Sequence, residues 1–185
     1  MKKVSGGGVQ HAKFMVLDGL HVFVGSQNFD WRALGQIHEL GVLVRHEGVA
    51  ADARRIYDLD WSIAGGASAQ LPVPPVVPLA ELPKHRLVTA DGRTVSAVVA
   101  ASPEQGLPRG IPWDLPLLVE MIDAAEDSVH LQLLSSAVTD RVQRLFDDLV
   151  CALRRAAGRG ARVRRSLSNW GKSRYRRPWG RSLVV

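Results

Sequence analysis

Two short runs rich in Val and Phe, "KFMVLD" at 13–18 and "HVFVGS" at 21–26, stand one turn apart. Runs of this length and composition read as strands, and the turn-like "GL" between them makes them neighbours in a buried sheet. "ELGVLVR" at 39–45 reads as a third strand. From 48 to 63, Val49, Ala53, Ile56 and Leu59 recur at helical spacing, which predicts a helix packed on that sheet. The chain therefore opens as strand, strand, irregular turn, strand, helix.

Five of the ten prolines fall within residues 64–85. Proline has no amide proton and a fixed φ, so this stretch is expected to run extended as a connection between two units. Beyond it, 94–103 reads as a strand. Next comes a helix with Pro116 in its first turn and Leu118, Met121, Ile122 and Ala125 on one face. Residues 129–136 read as a strand, 140–160 as a helix closed by Gly158 or Gly160, and 161–170 as a last strand. Strands alternating with helices define an α/β fold with a mixed sheet flanked by helices. The expected organisation is a first lobe over 1–63, a Pro-rich connection over 64–93 and a second lobe over 94–185.

The 185 residues, 46% of them hydrophobic, suffice for a buried core. No apolar run reaches the roughly 20 residues that span a bilayer, and no apolar stretch follows the lysines of "MKKVSGGGVQ". Neither a signal peptide nor a membrane anchor is expected in these residues. A single cysteine, Cys151, excludes an internal disulfide, and its place in "LFDDLVCALRRAA" predicts a buried helix residue. Charge is divided unevenly. Residues 149–185 carry eleven Arg or Lys and no acid, which leaves thirteen basic against eighteen acidic residues before them, about −5 against +11. Residues 154–181 read either as a surface for an anionic partner, nucleic acid or lipid, or as a solvated helix face followed by a frayed end.

Polar residues recur at fixed spacing around the first two strands: His11-x-Lys13, four residues, Asp18, six residues, Gly25-Ser26-x-Asn28. Strand alternation sends His11 and Lys13 to one face and Ala12 and Phe14 to the other. An imidazole beside a cation suits attack on a phosphodiester, because the ammonium offsets charge gathering on the phosphoryl oxygens. Ser26 and Asn28, at the end of the next strand, can donate hydrogen bonds to those oxygens, and Gly25 permits close backbone approach. Each residue taken singly has an ordinary structural reading. The joint pattern on two converging strands is far more specific.

"HAKFMVLD" with "GSQN" resembles the HxKxxxxD-GSxN signature of the phospholipase D superfamily, and "GSQNFDWRALGQIHELGV" resembles its eukaryotic- and poxvirus-type branch. "ASPEQGLPRGIPWDLPLLVEMIDAAEDSVHLQLLS" and "LRRAAGRGARVRRSLSNWGKS" are similar to the beginning of that family's second half. The resemblance implies a phosphodiesterase whose nucleophile, His11, forms a phosphohistidine. It makes Lys13, Ser26 and Asn28 the phosphate-binding groups and Glu39 the acid that orients the histidine, with Asp18 supporting local structure. It implies no cofactor and no metal, and His21, His38, His46, His85 and His130 show no ligand spacing. The substrate is expected to be a phospholipid or a nucleic acid.

The mechanism also needs an acid for the leaving alcohol, which the family draws from a second HxKxxxxD. No second copy occurs in this sequence, and "VRRSL" sets two arginines where an apolar strand is expected. The chain is therefore expected to be the end of one lobe and the beginning of another, truncated at both ends. Three functions remain open on the residues: phospholipase D-like hydrolysis, a phosphate-binding remnant without catalysis, and nucleic-acid binding through the Arg-rich segment. A homodimer is the arrangement that would bring two histidines together.

Overall fold

The computed structural model describes residues 10–67, 73, 75–133, 143–167 and 183–184. The chain divides into two compact units, 1–114 and 115–185.

In the first unit, β1 (Phe14–Leu17), β2 (His21–Gly25) and β3 (Gly41–Arg45) form an antiparallel sheet in that order. The turn between β1 and β2 is Asp18-Gly19, one position earlier than expected. Both residues have positive φ, 53° and 65°, and Leu20 N–H donates to the Leu17 carbonyl at 3.0 Å. Two consecutive positive φ values define a type I′ turn, whose twist matches that of the flanking strands.

The expected irregular turn contains a short helix, α1 (Trp31–Gly35). Asp30 is its N-cap, and its Oδ1 accepts from Arg32 and Ala33 N–H, each at 2.9 Å. The predicted long helix is α2 (Glu47–Ala64). Its cap is His46, whose Nδ1 accepts from Gly48 N–H at 3.1 Å and Val49 N–H at 3.4 Å. Histidine is not among the preferred capping residues, so nothing in the residue pattern points to this role.

Val22, Val49, Ala50 and Ala53 form the buried centre, with Phe14, Val16, Val44, Leu87 and Val99 packed around it. The two alanines let α2 lie close on the sheet. Among the described residues this face alone is covered, and at its far end Val24 and Val42 remain 48% and 53% exposed. Met15, Leu17 and Leu43, on the opposite face by the strand register, are 41%, 49% and 69% exposed.

The first unit continues past the Pro-rich connection, of which residues 68–72 and 74 lie outside the described residues. β4 (His85–Val88) and β5 (Thr94–Ala97) form an antiparallel hairpin. Leu87 joins the α2 core, and His85 Nε2 lies 2.8 Å from Asp52 Oδ2. Arg55 Nη2 donates to the Arg109 carbonyl at 2.7 Å, tying a still later loop to α2. These contacts carry the compact unit to residue 114.

The second unit opens with α3 (Asp114–Asp123), followed by β6 (Ser128–Leu133), α4 (Gln143–Gly158), β7 (Arg162–Leu167) and β8 (Leu183–Val184). β6 and β7 are parallel, as a strand–helix–strand crossover requires, and β8 adds antiparallel to β7. Residues 134–142 and 168–182 lie outside the described residues, including the ends of two predicted strands and the basic segment from Lys172 to Arg181. Gly160, at φ 97°, closes α4. Ala161 N–H donates to the Ala156 carbonyl and Gly160 N–H to the Ala157 carbonyl, the pair of bonds of a Schellman cap.

Three expectations about burial and charge change here. Cys151 is exposed, because α4 turns Ala152 and Ala156 inward and Cys151 lies well round the helix from both. Leu117 is buried in α3 while Leu118 and Met121 stay 46% and 58% exposed. Periodicity identifies residues that share a face, not whether anything covers it. In β7, Arg164 is exposed and Arg165 only half-buried, so "VRRSL" forms a strand with one open face. Together the small antiparallel and parallel sheets with their helices make the mixed α/β fold that the sequence implied.

Candidate active site

β1 and β2 are antiparallel, so the start of one meets the end of the other. The Lys13 carbonyl accepts from Gly25 N–H at 3.0 Å, which extends the pairing one residue beyond β1. Ser26 N–H donates to the Leu40 carbonyl at 3.0 Å, and Leu40 N–H donates to Ser26 Oγ at 3.1 Å. Residues 11–13, 25–26 and 39–40 therefore share one end of the three-stranded sheet. Strand pairing brings Lys13 and Ser26 to this end, while His11 and Glu39 lie in the irregular segments that lead into β1 and β3, so His11 is not part of the strand expected to set its face. The exposed Asn28 follows two residues after Ser26.

Asp18 goes the other way. Five residues of extended chain, at about 3.3 Å each, carry it about 16 Å from Lys13. It occupies the left-handed position of the β1–β2 turn, a conformation that Asp tolerates better than most residues.

The side chains at the shared end are partly engaged with one another. Ser26 Oγ donates to Glu39 Oε2 at 2.5 Å. That bond takes the carboxylate expected on His11, and among the described residues the exposed His11 ring has no hydrogen-bond partner. Lys13 Nζ donates to the His11 carbonyl at 2.6 Å. An ammonium has three donors, so two remain for an anion.

Gln10 ties this segment to α2. Its Nε2 donates to Asp60 Oδ2, and its Oε1 accepts from Ala12 N–H at 3.0 Å. Burial holds the Asp60 carboxyl above the usual carboxylate value, against the opposing effect of the Gln10 hydrogen bond.

Gln27, the free position of GSxN, was not singled out by sequence reasoning. Gly25 and Gly41 pair across β2 and β3, and the Gln27 amide lies over both of them. A Cβ on Gly25 would run into Gln27 Oε1, and one on Gly41 would stand 2.6 Å from Phe23 Cζ. Gly25 thus makes room for a side chain at the site. Gln27 Oε1 is buried with no hydrogen-bond partner among the described residues. The available signal was the glycine on each of two adjacent strands, which leaves a hollow that a neighbour fills.

Among the described residues no three His, Cys, Asp or Glu side chains are grouped to hold a metal ion, and no helix is long and apolar enough to cross a membrane. A groove lined by residues 14–19 with Arg54 and Tyr57 follows β1 away from His11 and Lys13.

An imidazole, an ammonium and a Ser–Glu pair at the end of a sheet form a set of groups suited to phosphoryl chemistry. The family described as PLD3/4, PLD-like domain matches residues 1–175, and the chain belongs to it. Its relatives include the 5'-3' exonuclease PLD3 of Rattus norvegicus, 32% identical over an alignment of 176 residues that covers 90% of this chain and 36% of that protein. The 5'-3' exonuclease PLD4 of Homo sapiens is 34% identical over 178 residues, 85% of this chain and 32% of the relative. The probable phospholipase D F09G2.8 of Caenorhabditis elegans is 26% identical over 182 residues, 93% of this chain and 32% of the relative. The chain spans about a third of the length of these curated relatives.

Proposed function

We propose that this chain supplies the nucleophilic half of a phosphodiesterase site acting on a nucleic-acid backbone. The observation that carries the proposal is that the segments holding His11 and Lys13, Ser26, and Glu39 converge on one sheet end in a chain of this family. Nucleic acid is favoured over phospholipid because the PLD3 and PLD4 relatives are 5'-3' exonucleases.

A ring nitrogen of His11 attacks phosphorus, the P–N bond forms, and the bond to the leaving oxygen breaks as that oxygen takes a proton. Water then attacks phosphorus, the P–N bond breaks, and a phosphate monoester leaves with the imidazole restored. The two free donors of Lys13 and the Asn28 amide meet the phosphoryl oxygens. Ser26 joins them by exchanging its bond to Glu39 for one to phosphate. The released carboxylate is then free to take the imidazolium N–H of His11, which stabilises that charge. The proton donor comes from a second HxKxxxxD, which this sequence does not contain. A dimer mate whose His11 face meets this one would supply an equivalent group.

Hydrolysis of bis(p-nitrophenyl) phosphate in EDTA, compared with His11→Ala and read beside the mass from light scattering, tests the proposal. Activity that persists in EDTA, is lost in the variant and tracks a dimer supports it in this chain. Equal rates for wild type and variant refute a nucleophilic His11.

A further inference from the structure

The basic segment is not one uniform surface. Arg155 is held by Asp123 through Nε to Oδ1 at 2.9 Å and Nη2 to Oδ2 at 2.6 Å. Arg159 Nη2 donates to the Ile122 carbonyl at 3.1 Å, at the end of α3. These two arginines tie α4 to the end of α3.

Arg162 and Arg164 differ. Both are exposed, and their guanidinium groups have no partner among the described residues. They lie two apart on β7 and so project from the same face, about 6.6 Å apart from two strand rises. In the parallel register Arg162 stands beside Ser128 and Arg164 beside His130, with Gln132 beside Ser166 completing the row. Each residue contributed by β6 to this face is exposed, whereas Val129 and Val163 on the other face are half-buried. Among the described residues of β6 and β7 the face carries two fixed cations, a histidine and three uncharged hydrogen-bonding side chains, and no acid, with Val184 of β8 beside Ser166. Glu126 and Asp127 precede β6 and are not among its residues.

We infer that this face of the β6–β7 sheet is a docking surface for the phosphate backbone of single-stranded nucleic acid. Arginine is the side chain best suited to phosphate, because its planar donors engage two oxygens together. Two arginines at strand spacing meet successive phosphates of an extended strand, while Gln132, His130 and the serines supply donors alongside. A surface built for a membrane pairs its cations with Trp, Phe or Leu that enter the acyl boundary, and the described residues of this face include none. The inference rests on the nucleic-acid reading above only for the choice of partner.

The test is fluorescence anisotropy of a labelled oligothymidylate with the full chain in a His11→Ala background, across salt concentrations. Replacing both arginines by serine is expected to lower affinity and flatten the dependence of log K on log salt by about 1.4, two single-strand phosphates at about 0.7 each. The loss of affinity between 50 and 200 mM salt then shrinks by about sevenfold. Arg162→Lys with Arg164→Lys keeps the charge and should keep most of the slope. Circular dichroism melts show that the serine variant is folded, as expected for exposed positions.

An unchanged slope in the serine variant overturns the proposal. So does a loss confined to phosphatidylserine vesicles, which assigns the face to a membrane. Hydrolysis of bis(p-nitrophenyl) phosphate in the wild-type background should be unaffected by the serine pair. Failure of the catalytic reading therefore appears in that assay, and failure of the docking surface in the anisotropy.

Discussion

Asp30 holds the loop after Asn28 through one carboxylate oxygen that accepts two backbone N–H groups, from Arg32 and Ala33 at 2.9 Å each. In Asp30→Ala both donors lose their partner, but they sit at an exposed helix start where water takes part of the load. The cost is therefore that of a lost N-cap, about 1 kcal/mol. Because α1 has only five residues, the loss falls on local opening and not on the whole unit. About 1 kcal/mol raises the population of the opened segment by about fivefold. Hydrogen exchange should show this as about fivefold faster exchange of the Arg32 and Ala33 amides, with those of Val22 and Ala53 unchanged. Asp30→Asn keeps an acceptor in the same place and should exchange within about twofold of wild type, since Asn caps about as well as Asp. If Asn opens the segment as far as Ala does, the capping geometry is not what holds it. If the Ala variant shows no change, Asp30 carries no local stability.

Val22→Ala removes two carbon groups from the buried centre between sheet and α2. At about 0.8 kcal/mol each, with a residual cavity added, it should cost about 2 kcal/mol in urea unfolding. Asp18→Asn tolerates the same left-handed conformation and should leave both the melting temperature and phosphodiester hydrolysis unchanged. A lost rate with an intact melt would give Asp18 a chemical role. Gly41→Ala drives a methyl against Phe23 and the Gln27 amide and should destabilise by about 1–3 kcal/mol in the same urea assay. The hydrogen bonds from Arg155 hold the Asp123 carboxyl below its usual value. The stability it contributes is thus complete above the unfolded carboxylate value near 3.9 and lost as pH falls through the lower folded value. Acid titration of Asp123→Asn should lack that component and keep the rest.

Much of the candidate site was legible because its geometry follows from alternation and antiparallel pairing alone. Once 13–18 and 21–26 are neighbouring strands, Lys13 must lie near Gly25 and Ser26. Asp18 must lie at the opposite end, because the turn is there. The helix over 47–64 was legible from Val49, Ala53, Ile56 and Leu59, whose spacing matches the helical turn. His46 as a cap and Gln27 over two glycines were not legible, since neither follows from propensity.

The order of residues along the chain is enough to set the local elements and the end of the sheet where the signature segments gather. Those features depend on contacts a few residues apart and on fixed strand and helix periods. The tertiary structure alone decided which side chains meet. It set Glu39 on Ser26, His85 on Asp52 across 33 residues and Arg155 on Asp123 across 32, and left Arg162 and Arg164 open on a sheet face. A carboxylate satisfies whichever donor the packing of distant elements brings within reach, and no pattern along the chain encodes that choice.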